Sequence, residues 1–81
     1  MTEYIATFHT HLSAMRTQRA LMAEGVNARI SPVPRYLSAS CGSCVIYRAD
    51  EPHLGCMDED VERVVEHAPP GQDCIELLYR A

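Results

Sequence analysis

The segment LGCMDEDVERVVE, residues 54–66, decides the fold. Leu54, Met57, Val61, Val64 and Val65 recur at helical spacing, and Asp58, Glu59 and Asp60 stand where the positive end of a helix dipole favours anions. Pro69, Pro70 and Gly71 then stop the run, and CIELLY at residues 74–79 reads as a closing strand. On this reading residues 54–66 form the second of two helices.

Working outward, DEPHLG before this segment is a turn signal, and CVIYRA at residues 44–49 puts Val45 and Tyr47 on one strand face and Ile46 on the other. VNARIS at residues 26–31 alternates Val26, Ala28 and Ile30 against Asn27, Arg29 and Ser31, the pattern of a half-buried strand. YIATF at residues 4–8 is apolar on both faces and suits a central strand. Between these two strands the spacing predicts a first helix, with Thr10 as N-cap, Gly25 as stop, and Ala14, Met15, Leu21 and Met22 on one face around Gln18. Strand, helix, strand, strand, helix, strand describes an α+β ferredoxin-like βαββαβ sandwich: a four-stranded antiparallel sheet with two helices on one face, spanning residues 1–81 as one domain. That scaffold hosts many activities, so function must come from particular residues.

Composition narrows the classes. A chain of 81 residues buries about 60–65% of its unfolded surface, so the core is thin. No apolar run is long enough for a bilayer and MTEYIATFH lacks the pattern of a signal peptide, which makes the cytoplasm the expected location and a membrane role unexpected. The net charge is −4, with no lysine and no basic cluster, a poor composition for gripping nucleic-acid phosphates. Without export features, Cys41, Cys44, Cys56 and Cys74 read as reduced thiols rather than a disulfide framework.

The connection between the second and third strands is anomalous. Fourteen residues separate Ile30 from Val45, whereas hairpin loops usually take two to five. Pro32 and Pro34 fix their own φ and push Ser31 and Val33 toward extended conformations, so SPVPR is stiff and carries Arg35 to a defined place. Gly42, beside Cys41, permits a positive φ. A stiffened loop ending in a small-residue cysteine turn is suited to presenting a thiol.

Phe8, Thr10, Ala14 with Met15, Gly25, then Pro32, Pro34, Arg35, Ser40, Cys41 and Gly42 together resemble a small domain family described as selenium/sulfur carrier protein-like. The resemblance covers roughly residues 4–50 and rests mainly on P-x-P-R followed at a fixed distance by S-C-G. It implies a thiol that carries sulfur or selenium, a covalent carrier rather than a turnover enzyme, with protein partners: a desulfurase-type donor that loads it and an acceptor that unloads it. No resident cofactor is implied beyond a persulfide or selenium adduct. One departure is Cys44, which stands where the family usually runs into aliphatic residues.

A carrier needs a thiolate, and at an unperturbed pKa near 8.5 only about 3% of a cysteine is ionised at pH 7. Arg35 is the candidate cation for raising that fraction at Cys41, helped by backbone N–H groups around Gly42 and by the hydroxyls of Ser38, Ser40 and Ser43. Pro34, Ser40, Gly42 and Thr10 are the residues assigned to substrate binding.

Other uses of the same residues stay open. Cys41 and Cys44 have C-x-x-C spacing for a thiol-disulfide pair, with Cys44 as resolving thiol or as a residue the sheet buries. A non-catalytic module binding a ligand or partner at the loop is a third reading. Cys41-x-x-Cys44 with His53-x-x-Cys56 imitates a zinc site, but five strand residues at about 3.3 Å each carry the chain some 16 Å from Cys44, so no metal is expected. His9, His11 and His67 fit helix ends, and Cys56 and Cys74 fit packing positions.

Overall fold

A computed structural model describes residues 2–34, 37, 42–66 and 75–79. Five strands and one helix follow in the order β1 (Thr2–Phe8), α1 (His11–Ala23), β2 (Asn27–Pro32), β3 (Ser43–Ala49), β4 (Val61–Glu66) and β5 (Ile75–Tyr79), with a single 3-10 turn at Leu54–Cys56. The strands form one antiparallel sheet in the order β2-β3-β1-β4-β5. Placing β3 between β1 and β2 leaves α1 as the crossover of a split β-α-β unit.

The α+β class holds, but the expected four strands and two helices do not. Residues 54–66 contain a one-turn 3-10 segment and strand β4 in place of the second helix, and β4 brings the sheet to five strands. The misleading spacing has a physical origin in the pairing of β4 with β1. Arg63 pairs with Thr7 and Val61 with Phe8, so Glu62 is an extra residue, a β-bulge. The bulge shifts the strand's phase, so Val61 and Val64 reach the same face and Val65 the other. An i, i+3, i+4 pattern therefore arises on a strand, and three β-branched valines suit it. Leu54, expected in a helical core stripe, is 41% exposed.

The first half follows its sequence closely. Tyr4, Ile5, Ala6, Thr7 and Phe8 are all buried because β1 is the central strand and both its faces are covered. The Thr10 side chain accepts the Ser13 N–H at 3.2 Å and caps α1, and Gly25, just past the helix end, takes φ +80°. The buried face of α1 is Ser13, Ala14, Thr17 and Leu21, whereas Met22, expected inside, is 59% exposed. Small inward residues let the helix lie close to the sheet over Tyr4, Phe8 and Tyr47. Gln18 Nε2 donates to the Ala28 carbonyl at 3.1 Å and ties the helix to edge strand β2.

Each sheet face carries its own cluster. Tyr4, Ala6, Phe8, Ala28, Val45, Tyr47, Val61 and Val64 meet Ala14 and Leu21 on the helix side. Ile5, Cys44 and Val65, with part-buried Ile46, form the opposite face, and its cover comes from the β2–β3 connection through Leu37 and Val33.

Candidate functional site

The sheet ladder ends at the pair Pro32 and Ser43, which shortens the long connection to residues 33–42. Pro32 is tolerated there because β2 is an edge strand. One further hydrogen bond, from Val33 N–H to the Gly42 carbonyl at 3.1 Å, closes the neck. Leu37 N–H donates to the Pro34 carbonyl at 3.0 Å, a turn that drives the Leu37 side chain onto the sheet, where it is 8% exposed. Stiff prolines and one apolar anchor thus hold the loop down on the face away from the helix.

Gly42 is exposed with φ +72°, the left-handed region that favours glycine, and a Cβ there would meet open space. The requirement for glycine is therefore conformational and not steric. Pro34 is half-buried in the loop, and Thr10 is exposed at the helix start, at the same end of the sheet as the loop because Thr7 pairs with Cys44. Cys41, Arg35 and Ser40, with Ser38, lie outside the described residues, as do Cys74 and His67.

Cys44 is the second residue of β3 and is fully buried on the loop-bearing face. Its Sγ lies 3.7 Å from the Pro32 carbonyl, which accepts from the thiol. Beside it in register on β1 is Thr7, and beside Thr7 on β4 is Arg63. The alternation that places Ile5 and Val65 on this face places Thr7 and Arg63 there too. Sequence reasoning missed both. Arg63 was hidden among the acids of a supposed helix, and Thr7 looked like an ordinary strand residue. Arg63 is the one cation between residues 49 and 79, and that was the available signal.

The other end of the molecule is different in character. An open cleft of about 520 Å³ is lined by Glu24, Glu51, Pro52, His53, Leu54 and Cys56. Burial, with the Glu24 carboxylate second, pushes the Cys56 thiol above its ordinary value, which lowers its nucleophilic fraction. Cys56 packs against the helix-side cluster while Cys44 sits on the opposite face, so the two do not converge. Among the described residues, no three His, Cys, Asp or Glu side chains come together to hold a metal ion, and no helix is long and apolar enough to cross a membrane.

A family model described as "putative Se/S carrier protein-like" matches residues 3–55, which include β1, α1, β2, the whole loop and β3. The chain belongs to that family. The shared region ends before β4, so most of the part that departs from the expected fold lies outside the family match. The chain is also 38% identical over 45 residues to the uncharacterized protein YtiA of Escherichia coli K12, covering 56% of this chain and 53% of that protein. The alignment thus spans about half the length of the curated relative. No solved structure matches the chain.

Proposed function

We propose that this protein is a sulfur or selenium carrier in which Cys41 accepts and then donates one atom at the persulfide or selenopersulfide level. Family membership carries this reading, since the matched residues contain both P-x-P-R and S-C-G. The anchored loop and the positive φ of Gly42, the residue after Cys41, support it.

In the loading step the Cys41 thiolate attacks the outer sulfur of a donor persulfide. A Cys41–S–SH bond forms, the donor S–S bond breaks, and the donor cysteine leaves as a thiolate with no net oxidation. Unloading is the same exchange toward an acceptor nucleophile. Arg35 is proposed to favour the thiolate, and Pro34, Ser40, Gly42 and Thr10 to contact the donor or acceptor. A desulfurase-type donor and a protein acceptor are the partners this chemistry requires.

Intact-mass measurement tests the reading. Incubation with a cysteine desulfurase and cysteine should add one sulfur to the wild type, and Cys41→Ser should abolish the gain while Cys44→Ser retains it. No gain with any sulfur or selenium donor would overturn the carrier. Loss of two hydrogens on mild oxidation, abolished by either substitution, would favour a Cys41 and Cys44 disulfide instead.

A further inference from the structure

The edge strand β2 and its neighbour β3 carry a separate polar feature at the end of the sheet away from the loop. Arg29 pairs with Ile46 and Asn27 with Arg48, and Ile46 packs on the loop-bearing face, so strand alternation puts Asn27, Arg29 and Arg48 on that face too. Arg29 and Arg48 are diagonal neighbours, positions about 7–8 Å apart in such a pair. With Asn27, Ile46 and Tyr47 they line a small recess of about 90 Å³, well above the roughly 10–15 Å³ that a single water needs. Asn27, Arg29 and Arg48 are all exposed, and among the described residues none of these three side chains makes an ion pair or a hydrogen bond. In a chain of net charge −4, a recess lined by two guanidiniums and no carboxylate is a local reversal of sign.

We propose that this recess binds a phosphate group, either the free ion or the head of a small ester. Guanidinium forks match the oxygens of carboxylates and phosphates, and each fork fixes one plane. Two forks that approach diagonally across a strand pair call for acceptors in more than one plane, which a tetrahedral dianion has and a carboxylate lacks. Its two negative charges also balance the two arginines, and the Asn27 amide supplies a further donor. Half-buried Ile46 gives the recess one apolar wall, against which the carbon of an ester would pack. Glu3 stands opposite Arg48 on β1, and Asp50 and Glu51 share a neighbouring cleft with Arg48, so these carboxylates temper its charge. Arg29 is therefore the stronger determinant. Arg48 is five strand residues from Ser43, about 16 Å along β3, so the site is separate from the loop and independent of the carrier reading.

Titration of the full chain with sodium phosphate, against sodium chloride at equal ionic strength and followed by amide ¹H–¹⁵N spectra, tests the site. Saturable shifts are expected at Asn27, Arg29, Ile46 and Arg48 with phosphate and not with chloride. All three polar positions are exposed, so their variants should keep the wild-type spectrum elsewhere. Arg29→Gln should weaken binding about fivefold, the upper worth of one exposed ion pair, and Arg48→Gln about twofold. Glu3→Gln should tighten it about twofold, since like charge opposite Arg48 is removed. Methyl phosphate supplies the second arm: binding weaker than inorganic phosphate assigns the free ion, and equal or tighter binding assigns an ester head. Shifts that do not saturate, identical shifts with chloride, or unchanged affinity in Arg29→Gln overturn the site. Acetate binding as tightly as phosphate overturns the choice of a tetrahedral dianion.

Discussion

The two faces of the sheet divide the work of the molecule unequally. On the helix side, Phe8, Tyr47, Val45, Val61 and Val64 are essentially inaccessible and meet Ala14 and Leu21 of α1. On the loop side, the buried cluster among the described residues is Ile5, Leu37, Cys44 and Val65, and a buried hydroxyl and a guanidinium share the face with it. Among the described residues, the larger share of apolar burial therefore lies on the first face. The second carries more polar side chains, and its described cover is Leu37 and Val33 of the β2–β3 connection.

The comparison breaks most visibly at Phe8. Phe8→Ala empties a fully enclosed site on the helix side and should cost about 3–5 kcal/mol. A domain of this size has about 4–12 kcal/mol to lose, so the variant should be largely unfolded or close to it in urea titration. A loss under about 1 kcal/mol would mean that the helix side is not the principal core.

Leu37→Ala removes the loop's anchor from the other face. The expected loss is about 2 kcal/mol, at the low end for buried leucine, because a loop can settle into the space more easily than a sheet. The same change should raise the alkylation rate of Cys44 about 30-fold, since local opening of the loop exposes this thiol and each 1.4 kcal/mol is tenfold. Unchanged alkylation alongside reduced stability would mean that Cys44 is reached only by global unfolding.

The two described thiols sharpen the contrast further. Cys44→Ser places a hydroxyl in an apolar cluster and should cost about 1 kcal/mol, limited because the Pro32 carbonyl can accept from the serine. Cys56→Ser, in a part-exposed turn, should change stability by under about 0.5 kcal/mol. Equal effects in chemical denaturation would remove the distinction between a packed and a peripheral cysteine.

What could be read in advance follows the same division. Between Tyr4 and Ala49 each element announces itself through short-range physics: a two-residue alternation, a threonine cap, a glycine stop. The helix and three strands follow from these. Beyond Ala49 the signal fails because a β-bulge at Glu62 offsets the valines into a helical rhythm, and a bulge depends on the partner strand, which a linear pattern does not contain. The same offset concealed that Arg63 stands beside Thr7 across the sheet. In the loop, the positive φ of Gly42 was legible because glycine admits that conformation, while Arg35 and Cys41 lie outside the described residues. The burial of Cys44 was legible only as one of two alternatives, until the register chose its face.

A last contrast concerns the junction between the helix-side core and the acidic end. Tyr47 stacks on Tyr4 with ring centroids 5.3 Å apart, and its hydroxyl donates to the Pro52 carbonyl, pinning the turn after β3. Burial, with the neighbouring Tyr4 and Cys56 contributing after it, pushes the phenol well above its ordinary value. An acid whose folded pKa is raised is held neutral by the fold, so the folded state retains a proton that the unfolded chain releases near pH 10. The stability tied to that proton is fully present below about pH 10 and is lost as pH rises through the folded value. Tyr47→Phe should therefore cost about 1 kcal/mol at pH 7, through the lost hydrogen bond and the carbonyl it leaves unpaired. It should also flatten the alkaline decline, so that wild type and variant converge above pH 10. Parallel curves from pH 7 to 11 in urea denaturation would show that the phenol titrates alike in both states and that Pro52 gains nothing from it.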